Sequence, residues 1–143
     1  MSSFGQLTAC CALSAALVLA SFSQTTASER LIALKRQKDL SISLTNDVGR
    51  FLGGKNKFCV SFAYTANAEP VLIKKVMIEF AEQVGKIEER PINAAISEQG
   101  PGRYCGEVDL GRQSYHPALY HVTTHYVDAS NRKRNWHVLV NIK

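Results

Sequence analysis

Charge is missing from the start of this 143-residue chain, because no Asp, Glu, Lys or Arg precedes Glu29. The stretch from about Leu7 to Phe22 is apolar and is interrupted by Ser14. A run of this length is short for a bilayer span and fits the apolar core of a secretory signal peptide. Residues 1–27 are therefore predicted to be a cleaved signal peptide, and we expect a periplasmic or secreted protein with no stable membrane span after cleavage.

A second form of export signal overlaps the first. Leu7-Thr8-Ala9-Cys10 matches a bacterial lipobox, which would leave a lipidated cysteine on the membrane. In this chain the apolar core follows Cys10 instead of preceding it, and only six residues stand before Leu7. This order favours the cleaved signal peptide over lipidation.

Catalytic motifs are also missing. The sequence has no nucleophile elbow, no metalloprotease helix and no glycine-rich phosphate loop followed by a helix. Gly53-Gly54-Lys55 lacks the first half of a P-loop, and its glycines suit a tight turn. The neighbouring carboxylates Glu79 and Glu82 have no apolar segment around them that would raise a pKa. We expect a protein that is not an enzyme.

Cysteine is scarce, and its positions carry information. Of the four cysteines, Cys10 and Cys11 fall within the predicted signal peptide, which leaves Cys59 and Cys105. Outside the cytosol two remaining cysteines are predicted to form a disulfide. On the chain-entropy model such a bridge contributes about 3–5 kcal/mol.

The mature chain shows a period-two pattern from Leu40 onward. Seven short alternating runs are separated by Gly, Pro, Asn and Asp, which predicts an all-β immunoglobulin-like sandwich of seven strands over residues 39–143. Residues 28–38 are interpreted as a tether. In the run from Val71 to Phe80 the apolar residues change from odd to even positions, which predicts a β-bulge at Lys74-Lys75. The run from Ile92 to Ile96 follows Pro91 and is predicted to lie at a sheet edge.

The parity of the cysteines predicts where their bridge lies. Cys59 alternates with Phe58 and Val60, and Cys105 alternates with Tyr104 and Gly106, so both cysteines point away from the apolar faces of their strands. We therefore expect their strands to be antiparallel neighbours in one sheet, with the disulfide on its outer surface.

Histidines are candidate metal ligands. The four are His116, His121, His125 and His137. His121 and His125 share one parity, and a hairpin centred on Ser130-Asn131 places His125 or a neighbour opposite His137. Such a pair could bind Cu(II) or Zn(II), with His121 or Asp128 as a third ligand. The alternative is that these side chains are solvated strand histidines, and His116, before Pro117, is interpreted as a turn residue.

Three segments resemble a known family. Gly54–Val60, Pro70–Ile78 and Gly102–Leu110 are similar to the YtkA-like and FixH-like exported domains, over roughly residues 39–142. The resemblance implies an immunoglobulin-like sandwich in a bacterial envelope. It also implies a connection with copper handling and oxidase assembly.

One departure from this family concerns copper. Family members commonly carry a methionine-rich stretch after the position of Met77, whereas this chain reads Glu79–Gly85 without methionine. We therefore expect a non-catalytic binding or assembly module with an envelope protein as its partner, acting as a monomer, without nucleic acid and without a cofactor. A copper-handling protein that uses His121, His125 and His137 is the alternative. The basic clusters Lys74-Lys75 and Arg132–Arg134 are interpreted as solvated charge, with an acidic protein or anionic polymer as the functional alternative.

Overall fold

The structure, a computed structural model, describes residues 29–84, 86–88, 90–111 and 118–142. The predicted signal peptide, residues 1–27, and the predicted turn residue His116 lie outside this range. The described residues contain no helix that is long and apolar enough to cross a membrane.

Ten antiparallel strands are formed by the described residues. They are β1 (Arg30–Arg36), β2 (Leu40–Asn46), β3 (Lys55–Tyr64), β4 (Lys74–Val84), β5 (Ile87–Glu88), β6 (Ile92–Asn93), β7 (Ala95–Gly100), β8 (Arg103–Asp109), β9 (Ala118–Val127) and β10 (Lys133–Ile142). Five of them form sheet A in the order β1-β2-β3-β8-β7. The other five form sheet B in the order β10-β9-β4-β5, with β6 also paired to β4. The prediction of an all-β protein is confirmed.

The strand count differs from the predicted seven at three places, of which the first is the two-residue strand β5, which pairs with the end of β4 and was not predicted. Residues 30–36, interpreted as part of a tether, form β1, because the backbone groups of β2 gain ladder partners there and Ile32 and Ala33 pack against the core. The predicted run from Ile92 to Ile96 is divided between β6, which pairs with β4 in sheet B, and β7, which pairs with β8 in sheet A. The chain crosses from one sheet to the other at Ala94. The predicted edge position is confirmed for β7.

The hydrophobic core lies between the two sheets. Alternate residues of β3 point into it, and Phe58, Val60 and Phe62 are fully buried. Phe58 meets Phe80 of sheet B with ring centroids 5.5 Å apart, and Phe62 meets Tyr126 of sheet B at 5.0 Å. These contacts join the sheets and leave the opposite face of each strand available for other roles.

The predicted bulge at Lys74-Lys75 is confirmed. The four residues of β4 from Lys74 to Met77 lie opposite only three of β9, from Val127 to His125, and Lys75 has a φ of 52°. The extra residue restores the parity that buries Ile78 and Phe80. As a result Met77 is directed to the outer face of sheet B.

Candidate binding face on sheet B

One face of sheet B carries most of the residues that the sequence singled out for chemistry. We call it the histidine face, and it consists of Met77 and Glu79 on β4, His121, Thr123 and His125 on β9, and Asn135, His137 and Leu139 on β10. These residues share a parity opposite to that of the core residues Val122, Thr124 and Tyr126. Strand pairing therefore gathers side chains from three separate parts of the sequence on one surface.

His125 lies at the centre of a polar cluster. Its Nδ1 lies 3.0 Å from Oδ1 of Asn135, and its Nε2 lies 3.1 Å from Oε2 of Glu79. A protonated imidazole donates to both oxygens, whereas a neutral ring donates to one. Because both ring nitrogens are engaged, His125 would have to leave Glu79 or Asn135 before it could bind a metal ion.

His121 and His137 form a separate pair. Their ring centroids are 5.1 Å apart, with 43° between the ring planes. The Nδ1 of His137 also lies 3.0 Å from the hydroxyl of Thr123. The structure therefore brings two of the three predicted histidines together and places the third with a carboxylate.

The register of the hairpin explains this arrangement. His125 lies opposite Asn135, and His137 lies opposite Thr123, so of the two expected alternatives His125 itself does not face His137. The last pair before the turn joins Val127 to Lys133, so the hairpin is centred on Ser130. This centre lies half a residue before the predicted one, which was between Ser130 and Asn131. His137 consequently meets His121 as a diagonal neighbour.

Asp128 ends the strand and belongs to the turn. Its Oδ1 accepts hydrogen bonds from the backbone N–H groups of Ser130 and Arg132, and its Oδ2 accepts one from Arg134. The hydrogen bond from the Arg132 backbone is the main reason why the pKa of Asp128 is held below its usual value. Asp128 therefore stabilises the hairpin instead of joining the histidines as the predicted third ligand.

Potential metal ligands do not converge on the histidine face. No group of three or more His, Cys, Asp or Glu suited to a metal ion occurs within residues 29–84, 86–88, 90–111 and 118–142. Met77 lies opposite His125 on the neighbouring strand, and 44% of its surface is exposed. The face thus contains a His121–His137 pair and a Met77–His125–Glu79 group.

A second site surrounds the disulfide on the outer face of sheet A. Cys59 and Cys105 lie directly opposite each other on β3 and β8, with Cα atoms 4.0 Å apart, and the bridge between them is formed. Both cysteines are partly exposed and line an open depression of about 530 Å³. The predicted pairing and its position on the outer surface are confirmed.

Sequence reasoning missed the charged group beside this disulfide. The guanidinium of Arg103 forms an ion pair with Glu29, and its Nη2 lies 3.3 Å from the Sγ of Cys59. Its hydrogen bond lowers the pKa of Glu29 below the usual value, while burial opposes that effect. The one available signal was parity, which places Arg103 on the same side of β8 as Cys105.

The fold and these two surfaces define a disulfide-bridged, two-sheet β domain. No family model and no curated protein matches the chain. Two solved structures show a distant likeness. The first is a DUF4785 family protein from Legionella pneumophila, with 9% identity and a TM-score of 0.49, where the match covers 75% of this chain and 29% of that protein's chain.

The second solved structure is a copper-bound variant of FetP from uropathogenic Escherichia coli strain F11. Its identity is 10% and its TM-score 0.42, and the match covers 79% of this chain and 95% of that chain. Neither likeness assigns a function to this chain.

Proposed function

We propose that this chain is a non-catalytic binding or assembly module of the bacterial cell envelope, which binds a partner protein through the histidine face. The observation that carries the proposal is the exposure of Leu139 and Met77, at 55% and 44%, beside the histidines on one regular sheet surface. Exposed apolar side chains set among polar ones are typical of protein interaction sites. The module acts as a monomer until the partner binds.

The form of the sheet supports this assignment. In the described part of the chain β10 has a neighbour on one side only, and its ten residues run without a break in register. A regular edge strand offers backbone donors and acceptors to a strand of another protein. Lys133 at the start of β10 and Arg132 just before it give that end a positive charge, while Arg134 is paired with Asp128, and this charge suits an acidic partner segment.

The disulfide supports the proposed location. Bridges of this kind persist in oxidising compartments such as the bacterial periplasm. Two of the segments that resemble YtkA-like and FixH-like domains, Gly54–Val60 and Gly102–Leu110, include most of β3 and all of β8 and carry the bridged cysteines. Because these segments carry the family resemblance, we also assign the domain to the immunoglobulin-like class.

Site-specific crosslinking tests the proposal. A photo-crosslinking amino acid is placed at position 139 in bacteria that produce the protein, and a second strain carries it at position 72. Leu72 is 71% exposed and lies outside the histidine face, so it is a matched control. We expect position 139 to crosslink to one discrete protein and position 72 to give no such product. Equal crosslinking at both positions, or none at 139, would contradict the proposal.

Copper handling is the second candidate, and the His121–His137 pair favours it. Two imidazoles with centroids 5.1 Å apart present the nitrogen ligands that Cu(II) and Zn(II) prefer, although further ligands would have to come from solvent or a partner. Titration with Cu(I), Cu(II) and Zn(II), followed by calorimetry, tests this candidate. His121→Ala should abolish one-to-one binding and His125→Ala should preserve it, whereas binding no tighter than about millimolar would exclude the site.

A further inference from the structure

The disulfide belongs to a row of side chains that crosses the outer face of sheet A. Strand register places Thr45 opposite Cys59, Cys59 opposite Cys105, and Cys105 opposite Ser97. Thr45 stands on β2 inside the sheet, whereas Ser97 stands on the edge strand β7. Along the direction of the S–S bond, the sulfur of Cys59 is therefore followed by Thr45 and the sulfur of Cys105 by Ser97.

The Cys59 side of the bridge is covered. The hydroxyl of Thr45 lies 3.3 Å from Oε2 of Glu29, and the same carboxylate binds the guanidinium of Arg103. This guanidinium also places an N–H group against the Sγ of Cys59. A nucleophile directed at Cys59 would have to displace this ion pair.

The Cys105 side is open by comparison. Ser97 is small and exposed, its hydroxyl accepts a hydrogen bond from the exposed Gln99 side chain at 2.9 Å, and both Ser97 and Cys105 line the depression beside the bridge. A thiolate attacks a disulfide sulfur from the side opposite the sulfur that leaves, so an attack on Cys105 passes over Ser97. The sulfur that leaves is then that of Cys59, which faces a positive charge.

We propose that the Cys59–Cys105 bridge is a directional site for thiol–disulfide exchange, in which Cys105 accepts the nucleophile and Cys59 leaves as a thiolate stabilised by Arg103. The thiolate of an external dithiol bonds to the Sγ of Cys105 as the Cys59–Cys105 bond breaks, and the bond's electron pair remains on Cys59. The second thiol of the dithiol, as its thiolate, then attacks the mixed disulfide. It releases Cys105 as a thiolate and leaves the dithiol oxidised by two electrons.

The sheet does not depend on the bridge alone. Six further residue pairs of the β3–β8 ladder, from Lys55–Asp109 to Ser61–Arg103, flank the cysteine pair. Reduction therefore opens the bridge within a ladder that other pairs maintain. This activity is additional to the partner binding proposed above and does not rest on it.

The test locates the site of attack. It uses the full chain with Cys10→Ser and Cys11→Ser, so that Cys59 and Cys105 are the only cysteines. The oxidised protein is treated with limiting β-mercaptoethanol, the exchange is stopped with N-ethylmaleimide, and peptide mass spectrometry locates the adducts. We expect the product with the mixed disulfide on Cys105 and maleimide on Cys59 to be about tenfold more abundant than the product with these two groups exchanged. One charge-assisted hydrogen bond to the Cys59 thiolate accounts for a factor of about this size. Equal amounts, or an excess on Cys59, would overturn the proposal.

Two variants separate the effect of the Arg103 charge beside Cys59 from the effect of the open approach past Ser97 to Cys105. Arg103→Gln should slow the exchange about tenfold and remove the preference for Cys105, because the Cys59 thiolate loses its charged donor. Lys57→Gln is the matched control, since Lys57 lines the same depression and its replacement by Gln also removes one positive charge. Ser97→Leu should slow attack on Cys105 by obstructing the approach. An unchanged rate and site in both Arg103→Gln and Ser97→Leu, or an equal loss of rate in Lys57→Gln and Arg103→Gln, would overturn the proposal.

Discussion

Replacing Phe80 tests how the two sheets are held together. Phe80 is fully buried, and its ring meets Phe51 at 5.2 Å and 84° and Phe58 at 5.5 Å and 65°. Edge-to-face pairs of this kind contribute about 0.5–1.5 kcal/mol each beyond the burial of their area. Phe80→Leu keeps most of the apolar volume and loses both pairs, so we expect the free energy of unfolding to fall by about 1–3 kcal/mol.

A double-mutant cycle measured by denaturant unfolding isolates the aromatic contact. Phe51→Leu and Phe80→Leu should couple by about 0.5–1.5 kcal/mol, because each change removes the same ring pair. Phe62 is the control, since its ring contacts Tyr104 and Tyr126. Phe62→Leu and Phe80→Leu should add within about 0.5 kcal/mol. Additive behaviour of Phe51 and Phe80, or equal coupling in both cycles, would refute the reasoning.

Three further predictions concern the backbone and the hairpin turn. Lys75→Gly should raise the free energy of unfolding by about 1 kcal/mol, because glycine adopts the positive φ of the bulge without strain, whereas Lys75→Val should lower it. Gly102→Ala should cost about 2 kcal/mol or more in thermal unfolding, because φ is +65° and a Cβ would lie 2.7 Å from two backbone carbonyl oxygens. Asp128→Asn should destabilise the protein more at neutral pH than well below pH 3.8. The folded-state pKa of Asp128 lies below its usual value of 3.8, so the carboxylate charge stabilises the folded protein above pH 3.8. This stabilisation is lost as the pH falls through the lowered pKa. Equal destabilisation at both pH values would contradict the role given to the Asp128 charge.

Much of the fold could be predicted from the period-two pattern. Alternation placed Phe58, Val60 and Phe62 in the core, and the change of parity after Ile73 correctly indicated the bulge at Lys74-Lys75. These features are local, because the side-chain period of a strand determines which face a residue occupies. Local alternation does not say which strand pairs with which, so neither β1 nor the division between β6 and β7 was predicted.

The candidate sites show the same division. Parity alone indicated that His121 and His125 share a face and that Cys59 and Cys105 lie on an outer surface. Which residue stands beside each of them depends on register, and a shift of half a residue in the turn joined His137 to His121 and left Asn135 for His125.

The sequence by itself determined the side of the strand for each candidate residue, and it supplied the cysteine pair that forms the disulfide. Only the tertiary structure decided which partners they have. Arg103 and Glu29 are 74 residues apart in the sequence, and Met77 and His125 belong to strands that only the sheet brings side by side. Contacts of this kind arise from strand pairing between distant segments, and no local spacing in the chain encodes them.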